Sequence, residues 1–125
     1  MKIYFPVAIA PSIVSAPAWA QKTLSFNAPF TQVGSIAVYN AGTCQAGTKN
    51  VKIKKAPENG LIELREWNRT VRSKDKCNGA DVPATNVFYK PKTGFRGKDT
   101  FVVTYERFGR HGSMWEEKKF FISVP

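Results

Sequence analysis

The chain has 125 residues, with 19 lysines and arginines against 9 acidic residues for a formal net charge of +10, and 42% of it is hydrophobic. That length suits one domain of ordinary small size. A single histidine and only two cysteines leave a histidine-based triad or a histidine metal centre without support.

Residues 1–20 read as a secretory signal. Lys2 supplies a short positive start, an apolar run extends from Ile3 to Val14, and Ala18-Trp19-Ala20 is a small-x-small cleavage site before Gln21. Pro6, Pro11 and Pro17 argue against a membrane anchor, because a spanning helix needs roughly 20 apolar residues without such breakers. No other stretch is long and apolar enough to span. Cleavage after Ala20 would remove only Lys2 among the charged residues, so residues 21–125 keep 18 basic and 9 acidic side chains, a net +9. This balance favours polyanionic surroundings: acidic polysaccharide, lipopolysaccharide, teichoic acid, nucleic acid or an acidic protein. The alternative is that the charge only keeps an exported protein soluble.

From Gln21 onward helical periodicity is nearly absent. Thr23-Leu24-Ser25-Phe26 alternates and is broken by Asn27-Ala28-Pro29. Ser35 to Tyr39 alternates and is broken by Asn40-Ala41-Gly42. Val51-Lys52-Ile53-Lys54 is apolar on one face and basic on the other, the pattern of a lysine-protected sheet edge. Pro57-Glu58-Asn59-Gly60 is a turn, Leu61 to Trp67 a strand, and Val71 the site of a short return strand. A polar loop is expected from Ser73 to Thr85, then strands over Asn86–Lys90 and Thr100–Arg107. Gly109-Arg110-His111-Gly112 forms a hairpin tip, and Trp115–Val124 closes the chain with Phe120, Ile122 and Val124 on one face. Seven or eight short strands with turns every eight to twelve residues predict an all-β, antiparallel β-sandwich in one domain, residues 21–125.

Cys44 and Cys77 read as one disulfide in an exported protein. It would close a loop of about thirty residues and stabilise the fold by roughly 3–4 kcal/mol.

The segment Tyr89-x-Pro91-x-x-Gly94-Phe95-x-Gly97-x-Asp99-x-Phe101-x-x-x-Tyr105 resembles the C-terminal signature of bacterial cadherin-like, immunoglobulin-like repeats. Ala56-Pro57-Glu58-Asn59-Gly60-Leu61-Ile62 is similar to that family's Pro-x-His-Gly-Thr-Leu turn, with Asn59 and Leu61 in place of His and Thr. Phe120 to Val124 resembles its last strand. The resemblance covers residues 50–125 and implies an immunoglobulin-like sandwich of about seven strands, here as a single exported copy. It is nearly silent on function. Its residues are expected to be structural. Tyr89 buries its ring and holds a loop through its hydroxyl, as at a tyrosine corner. Pro91, Gly94 and Gly97 shape the turn, Phe95 plugs the end of the core, and Asp99 accepts backbone hydrogen bonds in the turn that opens the strand. Phe101, Val103 and Tyr105 line one face. The disulfide is no part of the family signature and reads as a staple for a domain without neighbours.

The search for chemistry yields no phosphate loop, no dinucleotide fingerprint and no calcium loop, and so no cofactor or metal is expected. Glu63 with Glu66 and Glu116 with Glu117 are the candidate carboxylate pairs for hydrolysis, but each pair falls on opposite faces of a strand and has basic neighbours. Catalytic residues are therefore expected to be none. Binding has more support. Arg65, Trp67 and Arg69 share one face if their strand continues, and Arg72 follows; an exposed indole between arginines can stack on a sugar while the arginines hold acidic groups. The tip holding Phe108, Arg110, Met114 and Trp115 is a second candidate contact. Asn68-Arg69-Thr70 is a glycosylation sequon, relevant only in a eukaryotic secretory pathway. The expectation is a periplasmic or extracellular non-catalytic binding module. Its partner is an anionic polysaccharide or a protein rather than a specific nucleic acid, and its oligomeric state is open. The alternatives are a structural or assembly subunit that associates through sheet edges, and a small envelope hydrolase.

Overall fold

The computed structural model describes residues 21–45, 47–109 and 112–125. Residues 1–20, where a secretory signal is expected, and Ala46, Arg110 and His111 lie outside the described residues. Seven strands run in chain order: β1 (Gln21–Thr23), β2 (Thr31–Ile36), β3 (Thr48–Lys55), β4 (Gly60–Thr70), β5 (Asp81–Pro91), β6 (Gly97–Gly109) and β7 (Gly112–Val124). They form two sheets, β1-β7-β6-β3 and β2-β5-β4. The all-β sandwich expected from the alternation is therefore present. Every pairing is antiparallel except β1 with β7, which is parallel.

The two sheets meet where the apolar alternation is strongest. Val87 and Tyr89 of β5 face Phe101 and Val103 of β6 and Phe120, Ile122 and Val124 of β7, with Leu24, Val33 and Ile36 closing the side. Tyr89, Phe101, Val87 and Val103 have no exposed surface. The Phe101 and Phe120 rings stack with centroids 4.6 Å apart, and Phe101 stacks on Tyr89 at 6.1 Å. Phe95 is half-buried against this core, as expected of a plug.

Polar atoms lock one pole of the sandwich. The Tyr89 hydroxyl donates to Asp99 Oδ2 at 2.7 Å and lies 3.3 Å from the Asn59 carbonyl oxygen. Asp99, 6% exposed, accepts from the backbone N–H groups of Glu58, Asn59 and Thr100 at 3.2, 3.0 and 3.0 Å. A carboxylate taken out of water is tolerable only with such a shell of donors. Contrary to expectation, Asp99 does not bond the turn that opens β6: it and Thr100 lie inside β6, and its other backbone donors belong to the β3–β4 turn forty residues earlier. Tyr89 differs from a tyrosine corner in the same way: it sits in β5, and its hydroxyl bonds a side chain ten residues downstream. Gly60 completes the arrangement, since a Cβ there would lie 2.5 Å from the Tyr89 ring.

Several strand limits depart from the sequence expectation. The loop expected over 73–85 ends earlier, because β5 begins at Asp81 and pairs with β4 in unbroken register from Asp81–Thr70 to Pro91–Gly60. Pro83 is accommodated because β2 reaches only to Thr85, so Pro83 has a strand neighbour on one side alone among the described residues. Val71 forms no return strand; it is buried in the loop after β4. β1 ends at Thr23 and β2 at Ile36, short of Phe26 and Tyr39, although Leu24 N–H still donates to Ser123 O at 2.9 Å.

Two outcomes test this pole. Asp99→Ala strands the Tyr89 hydroxyl and two or more backbone donors and should cost about 3 kcal/mol in urea unfolding, with Gly60→Ala also strongly destabilising. Burial, and then the Asp99 carboxylate, raise the Tyr89 phenol well above its ordinary value of 10.0. A folded-state value raised in this way contributes stability that is complete below about pH 10 and is lost as the pH climbs beyond it. Absorbance titration should therefore show Tyr89 ionising late and together with unfolding, and Tyr89→Phe should flatten that alkaline loss.

Candidate functional site

The other pole is made of loops. The β2–β3 connection carries Cys44 and the β4–β5 connection carries Cys77, and the end of β6 lies beside the first, since Phe108 N–H donates to Gly47 O at 2.7 Å. Cys44 and Cys77 form the expected disulfide with Cα atoms 5.1 Å apart, which suits an oxidising compartment. Around it a small second core gathers Val71, Cys77 and Val82, with Tyr39 and Cys44 packed on its edge. Asp75 organises the loop: its carboxylate accepts from Ser73 Oγ and the Cys77 N–H through Oδ1 at 2.7 and 2.8 Å, and from the Tyr39 hydroxyl through Oδ2 at 2.7 Å. These bonds, that from Ser73 foremost, hold its carboxyl below the usual value.

β4 presents the basic residues. Its inward row, Ile62 and Leu64, packs on the core, while Leu61, Glu63, Arg65, Trp67 and Arg69 point outward and are exposed. The face expected of Arg65, Trp67 and Arg69 thus exists, because β4 continues to Thr70. Their environments differ. The Arg65 guanidinium lies 4.0 Å from the Phe88 ring centroid and bonds Glu63 Oε1 at 2.6 and 2.9 Å. Its position is fixed and its charge is partly answered. Trp67 is 46% exposed and stands opposite Ala84, which is itself buried. Arg69 and Arg72 have no hydrogen bond or ion pair among the described residues, and with Ala37, Tyr39, Val71 and Val82 they line a groove of about 90 Å³ beside the disulfide.

Trp115 is elsewhere. It is 51% exposed on β7, in the opposite sheet, with Lys52 Nζ 4.8 Å from its ring centroid. Met114 beside it is 62% exposed, and Phe108 is half-buried. The six residues singled out in the sequence therefore separate: Arg65, Trp67, Arg69 and Arg72 lie together, Trp115 lies on the other sheet, and Arg110 is outside the described residues. β3 is an edge strand, so the lysines at 52 and 54 occupy the place expected of edge protection; Lys54 is ion-paired with Glu117.

The carboxylate pairs fall as alternation requires. Glu63 points out to Arg65. Glu66 faces a groove of about 220 Å³ between the sheets, whose other lining residues are Thr48, Asn50, Val51, Leu64, Pro83, Ala84 and Thr85, with no second carboxylate among them. Glu116 holds the Tyr105 hydroxyl at 3.2 Å and Arg107 at 3.5 Å, while Glu117 holds Lys54. Among the described residues no group of three or more His, Cys, Asp or Glu side chains is placed to hold a metal ion, and no helix is long and apolar enough to cross a membrane. No family model, curated protein or solved structure matches the chain.

The Glu66 groove was not found from sequence. Its only local signal is Glu66 breaking the apolar inward row after Leu64. The disulfide's effect on this pole is testable: Cys44→Ser with Cys77→Ser should lower stability by about 3–4 kcal/mol. Hydrogen exchange should then rise first at residues 38–45 and 71–80 and leave the β5–β6 pole around Tyr89 protected.

Proposed function

We propose that this chain is an exported, non-catalytic binding domain that engages an anionic glycan of the cell envelope or surroundings through the outer face of β4. The observation that carries this reading is Trp67, 46% exposed on the outward row of β4. Beside it are Arg69 and, at the strand's end, Arg72, neither of them paired among the described residues. A sugar ring can lie on the indole while its carboxylate, sulfate or phosphate meets the guanidinium groups. Arg65, held over Phe88 and tied to Glu63, serves as the fixed side of this platform. The excess of basic residues adds long-range attraction for any polyanion.

The strand order supports the immunoglobulin-like reading. In that architecture the third, sixth and seventh strands share one sheet and the second, fourth and fifth the other. β3, β6 and β7 are together here, as are β2, β4 and β5. β1 departs from it by joining β7. A hydrolytic reading has less support, because glycoside hydrolysis needs a second carboxylate within about 5–10 Å of the first, and the groove at Glu66 is lined by one.

Binding of an acidic polysaccharide, followed by intrinsic tryptophan fluorescence, tests the proposal. Trp67→Ala should weaken binding about tenfold, equivalent to about 1.4 kcal/mol, and Trp115→Ala should leave it unchanged. Affinity should fall as ionic strength rises, less steeply in Arg69→Gln/Arg72→Gln. Binding that ignores both salt and Trp67 would overturn the reading.

A further inference from the structure

The two sheets have four edges, and three are blunted. β1 is three residues long. β2 is short, and its register slips between Gln32 and Gly34. β3 slips twice, between Lys49 and Lys52 and between Ile53 and Lys55, and carries Lys52, Lys54 and Lys55. Short length, bulges and lysines are the usual means of preventing a sheet edge from pairing with another chain. β4 has none of them. It is eleven residues long, it contains no proline or lysine, and its pairing with β5 is unbroken over its whole length. Its far side has no strand neighbour among the described residues.

The outward row of β4 is also self-complementary. When two copies pair antiparallel about a two-fold axis through Leu64, residue 63 meets 65 and residue 61 meets 67. Glu63 then lies opposite the other copy's Arg65, twice. Leu61, 59% exposed, lies opposite Trp67, 46% exposed, also twice. These are the two large exposed apolar side chains of the strand. On the inward row Leu64 meets Leu64, and Ile62 lies beside the stem of Glu66. Shifting the axis to residue 63, 65 or 66 sets Glu63, Arg65 or Glu66 against its own copy, which places like charges directly opposite and is destabilising. One register near the strand's centre is therefore free of like-charge pairs, and it also joins the exposed apolar residues.

We infer that the β4 edge is a dimerisation site for a second copy of this chain, joining two β2-β5-β4 sheets into one continuous six-stranded sheet by antiparallel pairing centred on Leu64. The interface is isologous, so it closes on itself and does not propagate. It occupies the strand's edge and, on the outer face, sets the second copy's Leu61 beside Trp67. The inference does not depend on any glycan being bound.

Charge reversal provides the test. The mass of the purified disulfide-bonded protein is measured by sedimentation from micromolar to near-millimolar concentration, with thermal melting to confirm that each variant is folded. The wild type should run as a dimer at the upper end. Glu63→Arg and Arg65→Glu should each weaken the dimer at least tenfold, because each sets two pairs of like charges opposite one another. An equimolar mixture of the two variants should restore it. In the mixed dimer both positions of the first chain carry arginine and both positions of the second carry glutamate, so every pair in the same register is again of opposite charge. A wild type that stays monomeric throughout, a dimer unaffected by either variant, or a mixture no more associated than its components would each overturn the inference.

Discussion

A buried hydrogen bond between a tyrosine and an aspartate sets the geometry of this sandwich. Asp99 lies under the surface at the start of β6, and its carboxylate gathers the Tyr89 hydroxyl and three backbone donors. Those donors belong to the β3–β4 turn in addition to β6 itself, while the tyrosine belongs to β5. One side chain therefore fixes how the two sheets are joined at that pole. Gly60 lets the turn approach the ring closely enough for this to occur. The aromatic stack of Tyr89, Phe101 and Phe120 follows on from it into the core. Low local polarity makes each of these bonds stronger and makes the loss of any one partner more costly.

The opposite pole is held in a different way. There the apolar cluster is small, and a covalent link ties the β2–β3 loop to the β4–β5 loop. The Asp75 carboxylate arranges the surrounding hydroxyl and amide groups. This division leaves the basic end of β4 anchored at both sides without placing it in the main core. Arg65, Arg69 and Arg72 are all exposed, and of the three only Arg65 is tied down by an aromatic ring and a carboxylate among the described residues.

Much of this was legible in the sequence where the signal is local. The alternation of Phe101 with Val103, and of Phe120 with Ile122 and Val124, has the period of a strand buried on one side. The turn residues from Pro91 to Asp99 mark a corner. The long-range parts were not legible. Nothing near Asp99 announces Glu58 and Asn59 as its partners. The first half of β5 was obscured by Pro83, which is compatible with a strand only because β2 stops at Thr85. The last third of β4 carries no inward apolar residue after Leu64, so hydrophobic periodicity has nothing to register there. The separation of Trp67 from Trp115 depends on which sheet each strand joins, and that is a property of topology rather than of either segment.

The parallel pairing of β1 with β7 has a mechanical side. Gln21, Lys22 and Thr23 run alongside Phe121, Ile122 and Ser123 in the same direction, so the chain enters the sandwich and leaves it heading the same way. Tension along the polypeptide slides these two strands past each other instead of peeling them apart. In sliding, the bonds of the pair share the load, whereas in peeling they give way one at a time. A hairpin edge at this position would unzip under the same pull. The short first strand thus gives the domain resistance to traction at the point where it enters the sandwich.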